Sequence, residues 1–528
     1  MERSALALVV LLAAPRGLVA APAPAPAPPV RVVKADLGAA KGPLPTTFRR
    51  CVGAGRANEG LRADWQEQLR LVKKELGFEY LRVHGLFHDD MGVYTEDKAG
   101  APVYNWQYVD RFHDFLLDAG VRPFVELSFM PKALASGSKT IFWWNGNVTP
   151  PKSQEKWAGL VEAFLAHSIE RYGRDEVARW YFEVWNEPNL DVFWAGTQEQ
   201  YFELYDTTAR VVKKVCPECR VGGPATAGNA WIPETIAHCA KAGVPIDFVS
   251  THDYSIVRGF VDPNGDQATV LDTDPNAITK SVRRSRQQVA ESPMPKLELH
   301  YTEWSSSYTP SDPVHDVYHQ APFILDKIRN VGTAADSMSY WTFTDIFEES
   351  APRTTPFHGG FGLLNYQGLK KPAYHAYRFL NALGPTELRT DDAQSFVTRD
   401  ARGNAQVLLW DFTITHPGDP TPNQEYFRRD LPAKPKGRAR VELSSLAPGS
   451  YALEATRVGD RENDVYSAYR DLGAPPQLTR AEVEALRAAS DGQPFLRQIV
   501  AVGADGRFAR ELELRENDVC LVTLTRLR

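Results

Sequence analysis

Arg179-Trp-Tyr-Phe-Glu-Val-Trp-Asn-Glu-Pro-Asn189 is the stretch on which the reading of this chain turns. Trp180 to Trp185 is short, aromatic and β-branched, the texture of a buried strand. It then gives way to Asn186-Glu187-Pro188-Asn189, which is polar and turn-forming. Pro188 cannot donate to a ladder, so the predicted strand is Trp180–Glu187. A carboxylate leaving a fully buried strand at its C-terminal end sits where barrel enzymes hold their chemistry. Alone, such a Glu is as often an ordinary turn residue. A second stretch of the same character adds weight: Lys296-Leu-Glu-Leu-His-Tyr-Thr-Glu-Trp304 ends a predicted strand on Glu303.

Working outward, a strand-then-helix rhythm surrounds both stretches. The predicted strands are Cys51–Ala57, Tyr80–Gly85, Arg122–Phe129, Trp180–Glu187, Arg220–Ala225, Asp247–Tyr254, Lys296–Trp304 and Ser337–Asp345. Amphipathic stretches between them include Asp64–Leu76, Val109–Ala119, Gln154–Tyr172, Gln198–Val215 and Val314–Val331. Each is long enough for the crossover that parallel strands need. Eight such units predict an α/β fold, a (β/α)8 TIM barrel over residues 51–383. Beyond Leu383 the pattern changes to alternation, as in Ala405–Asp411, Arg438–Leu443 and Asn517–Thr525, with turns at Pro448-Gly449 and Asp505-Gly506. Residues 384–528 therefore read as an antiparallel β-sandwich, interrupted by one helix at Leu478–Ser490. Residues 31–50 have edge-strand or linker character and can add a strand to the sandwich.

Composition narrows the class. A chain of 528 residues with 43% hydrophobic and 24% charged residues is globular and large enough for more than one core. A net charge of −6 without long basic runs gives no footprint for nucleic acid. Ala5 to Ala14 is apolar, follows Arg3 and leads to Val19-Ala20-Ala21, which reads as a signal peptide over residues 1–21 and predicts a secreted or periplasmic protein. That run is too short to span a bilayer. A Pro/Ala linker at residues 22–30 follows. Of five cysteines, Cys216 and Cys219 form a lone CxxC without the second pair of a zinc knuckle. The spacing leaves disulfide pairing open among Cys51, Cys216, Cys219, Cys239 and Cys520. Asn147-Val-Thr149 is a sequon.

In an eight-stranded barrel, strands four and seven face each other across the mouth, so Glu187 and Glu303 can flank a glycosidic linkage. Such a pair performs acid/base work when its environments separate the two pKa values. Other strand ends carry His84, Glu126, His252 with Tyr254, and Trp341 with Asp345. Several polar and aromatic groups at one barrel face point to ligand contact. Asn186 can donate to a sugar hydroxyl, and Trp143, Trp144 and Trp194 are candidate sugar platforms. No cluster of metal or cofactor ligands is read from the sequence.

Trp185-Asn-Glu-Pro188 with Thr302-Glu303-Trp304 resembles clan A of the retaining glycoside hydrolases. The wider set of segments, Val83–Tyr94, Phe182–Leu190, Tyr340–Glu349 and Phe357–Leu363, resembles glycoside hydrolase family 39, which contains β-xylosidases and α-L-iduronidases. The resemblance runs from about residue 31 to the C-terminus. It implies Glu187 as general acid/base and Glu303 as nucleophile, with substrate contacts from His84, Asn186, His252, Tyr254, Trp341, Glu348 and Glu349. An iduronidase needs a cation for the substrate carboxylate, and Phe347–Glu349 supplies none, which favours the xylosidase branch. Trp304-Ser305 departs from the commonest neighbours of that nucleophile, which opens the question of the leaving-group side. The expectation is a retaining exo-glycosidase acting on β-xylosides or related carbohydrates, without cofactor. The alternatives are an endo-acting polysaccharide hydrolase and a non-catalytic carbohydrate-binding barrel. Loops 143–151 and 347–362 should wall off one end of the cleft in an exo-enzyme.

Overall fold

Strands buried on both faces still alternate, and here the two parities differ in kind. Leu81 and Val83 join the large core beneath the helices, as do Val125, Phe182 and Val184. The opposite parity, Tyr80-x-Arg82-x-His84, Phe124-x-Glu126 and Tyr181-x-Glu183, points into the barrel. The computed structural model describes residues 30–261, 267–418 and 423–527. The predicted signal peptide and all but the last residue of the predicted Pro/Ala linker lie outside the described residues.

Eight parallel strands close the barrel in chain order: Cys51–Arg56, Tyr80–His84, Arg122–Leu127, Tyr181–Val184, Arg220–Ala227, Phe248–Tyr254, Glu298–Ser305 and Ser337–Tyr340. The lowest interior layer is aromatic: Cys51, Tyr80, Phe124, Tyr181 and Phe248 cluster, and the His300 ring packs on three of them. The next layer is charged, and the open mouth lies above it.

Two strand boundaries differ from expectation. Strand four ends at Val184, three residues before Glu187, because Trp185 and Glu187 have left-handed φ of 72° and 44° and cannot continue a ladder. Strand eight ends at Tyr340, well short of Asp345. The expected helix Val314–Val331 divides into a 3-10 turn, Pro313–His315, and a helix, Gln320–Val331. Pro322 falls in that helix's first turn, where its missing N–H forfeits no bond.

The C-terminal region packs two sheets around a separate apolar core. The N-terminal segment contributes to both. Arg31–Asp36 lies parallel to Pro435–Ser444 in the three-stranded sheet, and Ala40–Pro43 pairs with Thr386–Leu388 at the edge of the seven-stranded one. Arg31 pins that start by donating to both carboxylate oxygens of Asp392. Two helices, Val465–Asp471 and Arg480–Ala489, interrupt the strands. A disulfide joins Cys216 to Cys219, while Cys51, Cys239 and Cys520 are buried thiols. The sequon is not presented to solvent: Asn147 is buried and its Nδ2 donates to the Gly137 carbonyl. Among the described residues no helix is long and apolar enough to cross a membrane.

Candidate active site

Two backbone irregularities aim the two acids. After strand four, the left-handed turn carries Glu187 over the barrel mouth, and its N–H is held by the Ala225 carbonyl at 2.8 Å. That carbonyl lies within a bulge of strand five, between Pro224 and Thr226. In strand seven the register slips, so that Thr251 pairs with Tyr301 but His252 with Glu303. The slip lets both Thr302 and Glu303 address the interior, which strict alternation forbids. As a result one carboxylate oxygen of Glu187, one of Glu303 and a ring nitrogen of His252 lie within 4.8 Å of one another.

The environments of the two acids differ. Arg82 Nη1 donates to Glu303 Oε1 at 2.7 Å and the Tyr254 hydroxyl to Oε2 at 2.7 Å, so both oxygens are held as acceptors. Glu187 has no cation of its own; its Oε1 meets His252 Nδ1 at 2.8 Å. Burial first, and then the charge of Glu303, push the Glu187 carboxyl well above the usual carboxylate range. The site thus sets one acid ready to donate beside a carboxylate aligned by two donors. Distance alone would suit a metal ion at these three residues. Their atoms are instead already engaged with one another and with Arg82 and Tyr254.

Hydrogen-bond direction tells where the proton sits. Thr302 Oγ1 has one proton and gives it to Glu183 Oε1 at 2.8 Å. His252 Nε2, 3.1 Å from that hydroxyl, must therefore be the donor there. Burial first, then the charges of Arg82 and His84, hold His252 well below its ordinary pKa, so the ring is neutral. A neutral ring protonated on Nε2 offers a lone pair at Nδ1, and only a protonated Glu187 can satisfy it. The line Glu187–His252–Thr302–Glu183 thus stabilises the acid form of Glu187.

Arg82 is the hub of the charged layer. It is fully buried and bonds Glu183 at 2.5 Å, Glu126 at 2.7 Å, Glu303 at 2.7 Å and Asn186 Oδ1 at 2.9 Å. Burial alone would raise Glu126, but His84 and Arg82 outweigh it and hold that carboxyl below the usual range. Burial wins at Glu183, which stays raised despite the Arg82 charge. With its Oδ1 taken by Arg82, Asn186 turns its NH2 group toward the mouth. The sequence reading missed Arg82 and Glu183. The signal was present: an aromatic residue followed two positions later by a charge recurs in strands two, three and four.

The mouth is a cavity of about 900 Å³. His84, Asn186, Glu187, Tyr254, Glu303, Trp341 and Glu349 all line it. His84 hydrogen-bonds Glu126 at 2.7 Å and lies 4.8 Å from the Trp341 ring. Glu349 presents a buried Oε1 that makes no hydrogen bond and lies 3.5 Å from His84 Nε2, and burial followed by the Glu303 charge raises its pKa well above normal. Two expected contacts fall elsewhere. Glu348 is turned away from the cavity, its carboxylate shared between Arg56 at 2.7 Å and Arg62 at 2.9 Å, because those arginines lie behind the loop. His252 stands behind Glu187, fully buried, and so positions the acid rather than lining the mouth. Asp345 is likewise withdrawn, paired with the buried Lys371 at 2.6 Å. Of the expected platforms, Trp144 packs on Phe129 and His88, Trp194 packs on Trp185, and Trp143 faces solvent; Phe142, Phe193 and Tyr308 line the walls instead. The two loops meet, the Trp143 N–H donating to the Glu349 carbonyl at 2.8 Å.

The profile of glycosyl hydrolases family 39 matches residues 31–509. The chain belongs to glycoside hydrolase family 39. It is 39% identical over 461 residues to a β-xylosidase of Caldicellulosiruptor saccharolyticus, spanning 86% of this chain and 91% of that one. Among solved structures, a family 39 enzyme from Xanthomonas axonopodis pv. citri superimposes with a TM-score of 0.91 at 43% identity, covering 95% of this chain and 98% of the other. A monomeric β-xylosidase from Caulobacter crescentus CB15 gives 0.90 at 43% identity, covering 94% and 100%. As a glycoside hydrolase the protein cleaves a bond between a sugar and an oxygen-linked group, and the cavity floor of this family 39 member carries paired carboxyls suited to that task.

Proposed function

We propose that the protein is a retaining, exo-acting β-xylosidase. The observation that carries this reading is the approach of Glu187 and Glu303 within 4.8 Å, since retaining enzymes hold their carboxyls at about 5–5.5 Å and inverting ones at about 6.5–9.5 Å. Glu303, aligned by Arg82 and Tyr254, attacks the anomeric carbon and forms a glycosyl ester as the C–O bond to the leaving group breaks. The proton on Glu187 passes to the departing oxygen. Water then enters, Glu187 takes its proton, and the hydroxide oxygen displaces Glu303 from the sugar. That restores the first state, with Glu187 again donating to His252.

Three features favour a neutral pentoside. Among the described residues the cavity lining contains no Lys or Arg to receive a uronic acid carboxylate. Glu349 offers sugar hydroxyls a carboxyl oxygen that makes no hydrogen bond within the protein. Two curated relatives that match 86% and 91% of this chain are named β-xylosidases. The joined loops at Trp143 and Glu349 support an exo mode, because they close the cavity beside Glu349. We also read the protein as exported, on the apolar run Ala5 to Ala14 and the small residues after it. Assay of the purified protein on 4-nitrophenyl β-xyloside, β-glucoside, α-arabinoside and β-glucuronide tests the assignment. Preference for the xyloside is expected, and preference for the glucuronide would overturn it.

A further inference from the structure

The cavity changes character along its length. Around Glu349, His84 and Asn186 it presents polar groups with unused hydrogen-bonding capacity. The leaving group must lie on the Glu187 side, because Glu187 donates to its oxygen. There the loop that follows Glu187 contributes Leu190, Val192 and Phe193, and Ile256 and Tyr308 line the same cavity. Phe193 packs on Phe142 at 5.5 Å, and Phe142 in turn stacks on His84, so this apolar wall runs back to the polar end. Val192 is 50% exposed and Tyr308 40%, so apolar surface is left open inside the vestibule. Few polar side chains reach this part. Asn189 spends both side-chain atoms on the Ala227 backbone, at 2.9 and 3.1 Å. Asp253 keeps one buried carboxylate oxygen without a hydrogen bond. A second sugar placed here would surround its hydroxyls with hydrocarbon, and each unpaired hydroxyl would weaken binding.

We propose that this vestibule binds an apolar leaving group, so that the natural substrates are xylosides of alkyl, aryl or polycyclic alcohols in preference to xylo-oligosaccharides. The inference rests on the β-xylosidase reading and adds the leaving-group class. The chemistry is unchanged: the bond from the anomeric carbon to the alcohol oxygen breaks, Glu303 bonds that carbon, and the Glu187 proton leaves with the alcohol. What changes is which alcohol gains binding energy as it enters the vestibule.

Methyl and octyl β-xyloside release alcohols of similar acidity, so their comparison isolates the apolar contact. The octyl substrate should show kcat/KM at least about tenfold above the methyl one, and above xylobiose, because each added methylene is removed from water. Val192→Asp should lower the octyl-to-methyl ratio about fivefold by placing a charge on the wall. Equal values for octyl and methyl, or a preference for xylobiose over octyl, would overturn the proposal while leaving the β-xylosidase reading intact. Failure to cleave 4-nitrophenyl β-xyloside in the same preparation would remove both.

Discussion

A carboxyl group that must reach its substrate protonated needs more than burial, because burial is undone whenever a donor turns toward it. At Glu187 the direction of the neighbouring bonds guards against this: Thr302 gives its proton to Glu183, His252 gives Nε2–H to Thr302, and Nδ1 is left to accept. Thr302→Val removes the acceptor for Nε2–H. His252 then favours the Nδ1–H tautomer, which donates to ionised Glu187 and lowers its pKa. Activity requires protonated Glu187 and is lost as pH rises through that pKa. The alkaline limb of kcat/KM should therefore move to lower pH by about one unit; a limb that stays put or moves upward contradicts the argument. Glu187→Gln should lower kcat/KM on alkyl xylosides by about 10²–10⁴-fold, measured by xylose release, since such leaving groups depend on protonation. Both acids were legible in the sequence as strand-end Glu residues. The withdrawal of Glu348 was not, because Arg56 and Arg62 lie far from it along the chain.

At the level of strands, the charged layer is an unusual filling for a barrel. Arg82 is one cation serving Glu126, Glu183 and Glu303 with no exposure to water. Arg82→Met should cost about 3–5 kcal/mol in urea unfolding, because it strands buried carboxylates, and should also depress activity by freeing Glu303. Gly53 in strand one lies against Trp341 after strand eight, and a Cβ there would overlap the indole ring. Gly53→Ala should raise KM for xylosides several-fold with a smaller change in kcat, read from initial rates. The eight strands could be read from apolar runs between amphipathic stretches. The bulges in strands five and seven could not, since they arise from register between strands, and they are what turn Glu187 and Glu303 toward each other.

For the molecule as a whole, the two regions are joined by the chain's start as well as by its middle. Val33 and Ala35 are buried in the sandwich core although they precede the barrel. Removing residues 1–43 should therefore lower the Tm of the protein by removing one strand from each sheet. The change from helical to alternating texture after Leu383 marked the sandwich, but only pairing could show where the N-terminal strands go. Glu59 gives a pH signature to global stability. Burial, then the charge of Glu348, pushes its carboxyl up to about 8, so the folded protein holds a proton that the unfolded chain releases near the ordinary Glu value. That contribution is complete below the unfolded pKa and is lost as pH rises through about 8. Glu59→Gln should flatten the decline in urea midpoint between about pH 5 and 8, whereas an unchanged slope contradicts the buried, protonated state.

The account stands or falls on which face of the sugar each acid addresses, and azide rescue reads that directly. Glu303→Gly with azide and an activated aryl β-xyloside should yield α-xylosyl azide, the small anion replacing the nucleophile from below. Glu187→Ala under the same conditions should yield the β-anomer, by capture of the glycosyl-enzyme from above. The same anomer from both variants, or near-native hydrolysis by either one without azide, contradicts the assignment of Glu303 as nucleophile and Glu187 as acid/base.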